Sequence, residues 1–106
     1  MISVVVPVHD EERSVALLYD ELAAALEPLG APWEAVFVDD GSTDGTFAAL
    51  TRLHARHDEV RVIRLRRNFG KAAALQAGFE EAQGDIVVTI DGDLQDDPAE
   101  IPRLLA

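Results

Sequence analysis

The sequence predicts an α/β fold, a Rossmann-like parallel sheet with helices on both faces. Short apolar runs alternate four times with segments whose apolar residues recur every three or four positions. This alternation is typical of successive β-α units, which place their strands side by side in one sheet. Turn-forming residues follow each apolar run, so loops are expected where the strands end. With 48% hydrophobic residues in 106, one domain can bury a core.

Four strands are predicted, in the order in which the apolar runs occur. They are Ile2 to Val6, ended by Pro7; Trp33 to Val38; Val60 to Leu65, nearer an edge; and Ile86 to Ile90. The first is almost continuously apolar, so we expect it to be buried on both faces. The last is a short β-branched run between turn signals and is also expected to be buried.

Helices are predicted between the strands from the spacing of apolar residues. The marker residues are Val15, Leu18, Leu22, Leu26 and Leu29 for the first helix, Phe47, Leu50 and Leu53 for the second, and Ala72, Leu75, Phe79 and Ala82 for the third. The side chains expected to cap these helices are Asp10, then Ser42 or Asp44, then Asn68. Asp97 followed by Pro98 predicts one further helix start.

Composition and missing motifs exclude several classes of function. A net charge of -11 argues against nucleic-acid binding, which needs a basic surface. There is no Cys, which excludes disulfides and Cys-ligated zinc, and no apolar run approaches the ~20 residues of a membrane span. The N-terminus lacks the basic start of a signal peptide. A dinucleotide-binding glycine motif, a P-loop, an EF-hand and a Gly-x-Ser-x-Gly turn are all missing from the sequence.

Polar clusters follow all four predicted strands. They are Pro7 to Glu11, Asp39 to Asp44, Arg66 to Lys71 and Asp91 to Gln95. Ligands of parallel sheets bind at the carboxyl ends of the strands, near the point where strand order reverses. We therefore expect these clusters to meet at one rim. The alternative is that they serve only as caps and turns.

The last cluster predicts a metal site. Asp91 and Asp93 point to the same side of an extended chain, and Gln95 adds an amide oxygen. Hard oxygen ligands of this kind suit Mg²⁺ or Mn²⁺, which often bind through one or two carboxylates and substrate phosphates. The alternative is a solvated acidic loop that caps the next helix.

Other rim residues have two interpretations each. Asp39 and Asp40 could accept hydrogen bonds from a base or a ribose, or they could belong to a simple turn. Glu11 is a ligand acceptor or a charge in the first turn of a helix. Lys71, near a helix start, would lie at a natural phosphate site.

Arginines and histidines complete the set of candidate residues. Arg64, Arg66 and Arg67 join Lys71 in the one dense basic segment, and their alternative is a solvent-facing role. His54 and His57 are expected to face solvent away from the rim. His9 is near the predicted site but has no obvious triad partner.

Four motifs together resemble glycosyltransferase family 2. They are Val4-Val5-Val6-Pro7-Val8-His9-Asp10-Glu11, Val38-Asp39-Asp40-Gly41-Ser42-Thr43-Asp44, Arg67-Asn68-Phe69-Gly70-Lys71 and Asp91-Gly92-Asp93-Leu94-Gln95. The resemblance covers the whole chain in the right order. It is strongest to the polyprenyl-phosphate sugar transferases, the branch that includes dolichyl-phosphate mannose synthase and bacterial polyisoprenyl-phosphate glucosyltransferases.

The resemblance implies a GT-A fold, of which residues 1–106 would form the N-terminal, nucleotide-sugar-binding part, with a further C-terminal part beyond them. It also implies a GDP- or UDP-linked hexose as donor and Mg²⁺ or Mn²⁺ as cofactor. The acceptor would be a polyprenyl phosphate, reached at the cytoplasmic face of the membrane through regions outside this chain.

By position, the resemblance assigns roles to nine residues. Those lining the nucleotide pocket would be Pro7, His9 and Glu11, with Asp40 on the base, Asp39 supporting the loop and Lys71 near the donor. Those near the metal would be Asp91, by the ribose or the ion, and Asp93 and Gln95 as ligands that bridge to the diphosphate. One departure is that the family usually has Tyr-Asn where this chain has His9-Asp10, which affects the base-stacking contact.

The expected reaction is inverting transfer of the hexose to the lipid phosphate. An ionised phosphate can attack without a strong general base, so the enzyme must position the reactants and neutralise the leaving diphosphate. The resemblance gives that second task to the metal at Asp93, the candidate catalytic residue. We expect residues 1–106 alone to show negligible transfer.

Three alternatives remain open at this point. The acceptor could be a saccharide hydroxyl, which would need a carboxylate base in the C-terminal part. The chain could bind a nucleotide sugar without turnover. A phosphoacceptor receiver domain also clusters acids at strand ends, but its acidic pair would follow the first strand, whereas Asp39 and Asp40 follow the second.

Overall fold

The computed structural model of this chain describes residues 1–91 and 97–102. The strands are Ile2–Val8 (β1), Trp33–Asp39 (β2), Val60–Arg64 (β3) and Ile86–Thr89 (β4). The helices are Val15–Leu26 (α1), Thr46–Arg56 (α2) and Lys71–Glu81 (α3), with short 3₁₀ turns at Glu27–Leu29 and Pro98–Glu100. Among these helices, none combines the length and the apolar character that crossing a membrane requires.

The four strands form one parallel sheet in the order β3-β2-β1-β4. The chain runs outward from β1 through β2 to β3 and then returns to β4 on the other side of β1. Strand order therefore reverses between β1 and β4, which is where such sheets bind ligands. β3 lies at an edge of the sheet, as predicted.

Alternate side chains of the central strands enter two separate apolar clusters. Val4, Val6 and Phe37 join the cluster that holds the buried residues of α1 and α2, whereas Val5 and Val36 join the cluster of α3. Every residue of β1 is buried, because helices cover both of its faces. The prediction of a parallel sheet with helices on both faces is confirmed.

β1 continues through Pro7 to Val8, so the prediction that Pro7 ends the strand is wrong. A proline inside a central strand usually costs a ladder hydrogen bond. Here Val5 O accepts from Ile90 N on the β4 side, and Val8 O accepts from Asp40 N on the β2 side. Pro7 therefore turns its missing N–H toward β4, whose pairing with β1 ends opposite Val5.

α3 faces the sheet through small residues rather than through the predicted stripe. Ala74 and Gly78 are buried, whereas Phe79 is 46% exposed. A Cβ built on Gly78 would lie 2.3 Å from Val5 Cγ1, so the helix and the sheet approach closely only because this position is glycine. The predicted burial of Phe79 is wrong for this reason.

β4 is an exposed edge strand, although its sequence predicts burial. Ile86 is 47% exposed and Val87 is 41% exposed. Among the described residues, β4 pairs only with β1, and this explains the exposure of its apolar side chains. β4 still delivers Ile90, which is buried, and then Asp91 to the rim.

Asp97 caps the turn that follows it, whereas Asp44 lies one residue before Gly45, the N-cap of α2, and still accepts from its first N–H. Asp44 Oδ1 accepts from the N–H of Thr46, the first residue of α2, at 2.9 Å. Asp97 Oδ1 accepts from the N–H of Ala99 at 3.0 Å and starts the turn Pro98–Glu100. These contacts satisfy backbone donors that have no partner within the helix.

Candidate functional site

An open cleft of roughly 380 Å³ lies at the carboxyl ends of the strands, beside the start of α3. It is lined by Pro7, Val8, His9, Glu11, Asp40, Asn68, Gly70, Lys71 and Asp91. Six of the seven residues predicted to form the nucleotide-sugar site therefore share one cleft, and the seventh, Asp39, predicted to support the loop, is fully buried. Their individual roles stay predictions, but the predicted convergence of the clusters is observed for the described residues.

The loop after β1 is joined to the loop after β2 by Asp10. The N–H of Asp10 donates to Ser42 Oγ at 2.9 Å, and Asp10 Oδ1 accepts from the N–H of Thr43 at 2.8 Å. Asp10 has a positive φ of 52°, a conformation that Asp and Asn tolerate better than most residues. The prediction that Asp10 caps α1 is wrong, because its carboxylate is held by Thr43 and α1 begins only at Val15.

The ring of His9 forms one wall of the cleft. Its Nδ1 lies 2.8 Å from the backbone oxygen of Asp40. Because a carbonyl oxygen only accepts, Nδ1 carries the proton. In the neutral ring Nε2 is then the acceptor, and it lies 3.4 Å from Asn68 Nδ2 and 3.3 Å from Asp10 Oδ2. The imidazole is thus fixed in orientation between three loops.

Glu11 is half-buried and lies outside α1. The backbone N–H of Glu11 donates to Thr46 Oγ1 at 2.8 Å. Thr46 in turn donates to the carboxylate of Asp44, and these hydrogen bonds lower the pKa of Asp44. The interpretation of Glu11 as a charge in the first turn of the helix is wrong, since α1 starts four residues later. Its location in the cleft is compatible with the predicted role as a ligand acceptor.

The two carboxylates that end β2 are both buried, and both hold loop backbone. Asp39 Oδ1 accepts from the N–H of Ser42 at 2.9 Å, the contact that a loop-supporting role requires. Asp40 Oδ1 accepts from the N–H of Phe69 at 2.8 Å, and Oδ2 accepts from the N–H of Gly70 at 3.0 Å. Asp40, predicted to contact the base, therefore also fixes the loop before α3.

A cation and an anion meet in the cleft at Lys71 and Asp91. Lys71 is the first residue of α3 and follows Gly70, whose φ is 99°. Its Nζ forms an ion pair with Asp91 Oδ2, which joins the start of α3 to the residue two positions beyond β4. The helix start, its lysine and a strand-end carboxylate are the groups that a diphosphate and a divalent ion would need here.

The predicted metal ligands are described only in part. Asp91 lies in the cleft with 27% of its side chain exposed, and its carboxylate is a hard donor that fits Mg²⁺ or Mn²⁺. Asp93 and Gln95 lie outside the described residues. Within residues 1–91 and 97–102, no three His, Cys, Asp or Glu side chains are grouped so that they could hold a metal ion.

The remaining candidate residues lie beside the cleft or far from it. Arg64, Arg66 and Arg67 are exposed and line a neighbouring cavity rather than the cleft. His54 is exposed, as predicted. His57 is not simply solvent-facing, because its ring stacks on that of Tyr19 with 4.2 Å between centroids.

Asn68 is the cleft residue whose role the sequence does not indicate. Predicted as the cap of α3, it instead accepts from the N–H of Gly70 at 3.0 Å, while the helix starts after Gly70 without a side-chain cap. Its amide nitrogen faces His9 across the cleft wall. A role for Asn68 in the site could have been inferred from its place in the loop Arg67-Asn68-Phe69-Gly70-Lys71, between the candidate residues Arg67 and Lys71.

Comparison with known proteins gives the site its context. Residues 3–106 match the family described as Glycosyl transferase family 2. The chain is 44% identical over 105 residues to undecaprenyl-phosphate 4-deoxy-4-formamido-L-arabinose transferase of Pectobacterium carotovorum, covering 98% of this chain and 32% of that protein. It is 43% identical to dodecaprenyl-phosphate galacturonate synthase of Rhizobium johnstonii, covering 99% of this chain and 31% of that protein.

A solved structure with the same fold is the mannosyltransferase PcManGT from Pyrobaculum calidifontis in complex with GDP-Man and Mn²⁺. It has a TM-score of 0.77 and 32% sequence identity, covering 87% of this chain and 27% of that one. This likeness confirms the predicted GT-A fold. The chain spans about a third of the length of the curated relatives it matches. On the family match and these likenesses together, the chain belongs to glycosyl transferase family 2.

Proposed function

We propose that this chain is the nucleotide-sugar-binding part of a metal-dependent, inverting glycosyltransferase. The reaction moves a hexose from a GDP- or UDP-linked donor to a polyprenyl phosphate at the cytoplasmic face of the membrane. Relatives named for undecaprenyl-phosphate and dodecaprenyl-phosphate support the acceptor class. A neighbour in complex with GDP-Man and Mn²⁺ supports the donor class and the metal.

The observation that carries the proposal is the Lys71–Asp91 ion pair inside the cleft. A nucleotide diphosphate needs cationic and N–H donors for its oxygens, and a divalent ion needs carboxylate oxygens. Lys71, at the start of α3, supplies a cationic donor. Asp91, which forms an ion pair with Lys71, supplies carboxylate oxygens.

Different residues of the cleft would contact the base and the diphosphate of the donor. The ring of His9, locked by the Asp40 carbonyl and bordered by Pro7, offers a flat wall for a base. Lys71 is placed to neutralise the diphosphate as it leaves. Mg²⁺ or Mn²⁺, held by Asp91 with Asp93 and Gln95, would supply further charge neutralisation. Because the acceptor phosphate is already ionised, this part of the protein needs no general base.

The experiment is calorimetry of the complete protein with GDP and with UDP, each with and without Mn²⁺. We expect one nucleotide to bind more tightly, and Mn²⁺ to strengthen that binding at least about tenfold, the usual scale of a metal-bridged diphosphate contact. Asp93→Ala should remove the Mn²⁺ effect. The matched control is Asp85→Ala, because Asp85 is exposed at the opposite end of β4.

Two results would contradict the proposal. One is an unchanged Mn²⁺ effect in Asp93→Ala, which would place the ion elsewhere. The other is robust hexosyl transfer by residues 1–106 alone, since the acceptor site is proposed to lie outside this chain. A transfer assay with polyprenyl phosphate and with a free saccharide as competing acceptors then tests the acceptor class separately from donor binding.

A further inference from the structure

A second cavity, of roughly 440 Å³, adjoins the cleft and shares His9 and Asn68 with it. It is lined by His9, Gly41, Ser42, Thr43, Arg64, Leu65, Arg66, Arg67 and Asn68. Three of the chain's 9 basic residues therefore share one cavity in a protein of net charge -11. We call it the arginine cavity.

The three arginines of this cavity differ from Arg61 in their ion pairing. Among the described residues, none of Arg64, Arg66 and Arg67 makes an ion pair, whereas Arg61 pairs with Glu34 and Glu81. Unpaired guanidinium groups that lie together repel one another unless an anion joins them. Their grouping therefore has an electrostatic cost that a bound anion would remove.

Two of the guanidinium groups are held by aromatic rings. The Arg64 guanidinium carbon lies 4.3 Å from the centroid of the Phe47 ring, and that of Arg67 lies 4.6 Å from the centroid of the Phe69 ring. Stacking uses the face of the guanidinium plane and leaves the N–H donors at its edge available. This arrangement lowers the entropy that these side chains would lose when they bind a ligand.

The loop opposite the arginines contributes one hydroxyl donor, because Ser42 Oγ accepts from the N–H of Asp10 and keeps its own O–H, whereas the Thr43 hydroxyl donates to Asp10 Oδ1. Ser42 and Thr43 border the cavity. Gly41 lets their loop pack against the arginine segment, because a Cβ added at this position would lie only 2.2 Å from the backbone carbonyl carbon of Arg67. The nearby carboxylate of Asp10 is already engaged through its Oδ1, which accepts from the N–H of Thr43 at 2.8 Å.

We infer that the arginine cavity binds a phosphate group, as a second anion site separate from the donor cleft. Three arginine edges with the hydroxyl of Ser42 match the several oxygens of a phosphate better than a single carboxylate. The phosphate could belong to a lipid headgroup or to a soluble phosphate ester, which share this chemistry. The inference stands on the described contacts and does not depend on the transfer reaction.

The test is titration of the complete protein with inorganic phosphate while the side-chain N–H signals of its arginines are followed by NMR. Saturable shifts at Arg64, Arg66 and Arg67 are expected. Arg66→Gln should weaken phosphate binding by about tenfold, the scale of one lost charge-assisted contact. The matched control is Arg56→Gln at the exposed end of α2, which makes the same change in charge and should leave the binding unchanged.

Flotation with vesicles identifies the source of the phosphate. If phosphatidylglycerol vesicles bind the wild type and the Arg56→Gln variant more than the Arg66→Gln variant, the site takes a lipid headgroup. If vesicle binding is equal while phosphate binding still depends on Arg66, the site takes a soluble ester.

The inference is overturned if phosphate causes no saturable shift, or if both variants weaken phosphate binding equally. It is also overturned if nucleoside diphosphate displaces phosphate in strict competition, which would make the cavity part of the donor cleft.

Discussion

The N–H of Gly70 donates to Asp40 Oδ2 at 3.0 Å, and this hydrogen bond ties the end of β2 to the residue that precedes α3. The other carboxylate oxygen of Asp40 holds Phe69 in the same way. Since Lys71 follows directly, a single buried carboxylate sets the position of the cleft's cation. The shape of the cleft therefore depends on a contact within the protein as well as on groups that face a ligand.

Asp40→Asn should lower both stability and donor affinity. An amide offers one oxygen where the carboxylate offers two, so one of the two backbone N–H groups loses a buried acceptor. We expect the free energy of unfolding to fall by about 1–3 kcal/mol, measured by urea denaturation of the complete protein. Asp58→Asn, at an exposed position, is the control and should change it by less than about 0.5 kcal/mol. A variant that loses donor affinity at unchanged stability would show that Asp40 acts on the ligand alone.

Gly41→Ala should disrupt the rim, and Gly30→Ala provides a matched comparison. Both glycines have positive φ, 66° and 71°, so each substitution costs about 1–2 kcal/mol in backbone conformation. Only at Gly41 does the new Cβ also meet backbone, 2.2 Å from the carbonyl carbon of Arg67. We expect a clearly larger fall in the urea midpoint for Gly41→Ala, together with loss of nucleotide binding. Equal midpoints for the two variants would show that the loops can separate without cost.

The succession of strands and helices along the chain, and the position of the rim, could be predicted from the sequence, because both depend on local patterns. Apolar spacing marks the elements, and turn residues such as Gly41 mark the strand ends. The buried face of α3 could not be predicted. A close approach between Gly78 and Val5 leaves no periodic signal, and a stripe that contains Phe79 gives the stronger apolar pattern.

Two further features depend on contacts between separate segments and could not be predicted from the sequence. Asp10 has the composition of a helix cap, but its positive φ directs its carboxylate to Thr43. The exposure of Ile86 depends on what pairs with β4, which the run Ile86-Val87-Val88 does not specify. Sequence patterns thus predicted which residues meet, whereas the hydrogen bonds that hold them required the structure.

Glu34→Gln should destabilise the protein at neutral pH and much less in acid. Burial alone would raise the pKa of Glu34, but hydrogen bonds from the Gln83 N–H, from Ser3 and from Arg61 outweigh burial and lower it. A carboxyl whose pKa is lower in the folded state stabilises the fold above its unfolded pKa of about 4.3. That stabilisation is lost as pH falls through the lower folded value.

The measurement for Glu34 is the free energy of unfolding of both proteins between pH 7 and pH 3. The difference at pH 7 should be on the order of 1–3 kcal/mol, the scale of hydrogen bonds to a buried charge, and it should shrink below about pH 4. Glu27→Gln, at an exposed position, is the control and should give a small difference at every pH. A Glu34→Gln difference that stays constant down to pH 3 would assign the effect to packing rather than to charge.

Lys71→Gln should change metal binding and donor binding in opposite directions. The ammonium group of Lys71 pairs with Asp91, so an incoming Mn²⁺ must compete with it for the carboxylate. Removing the charge should strengthen Mn²⁺ binding in the absence of nucleotide. It should also weaken nucleoside diphosphate binding by about tenfold, since the diphosphate loses a cationic contact.

Lys71 is the one lysine of the chain, so Arg13→Gln, at an exposed arginine outside the cleft, serves as the matched loss of charge. Calorimetry with Mn²⁺ alone and with nucleotide alone separates the two effects. If both affinities fall together, Lys71 supports the structure of the cleft and does not compete with the metal.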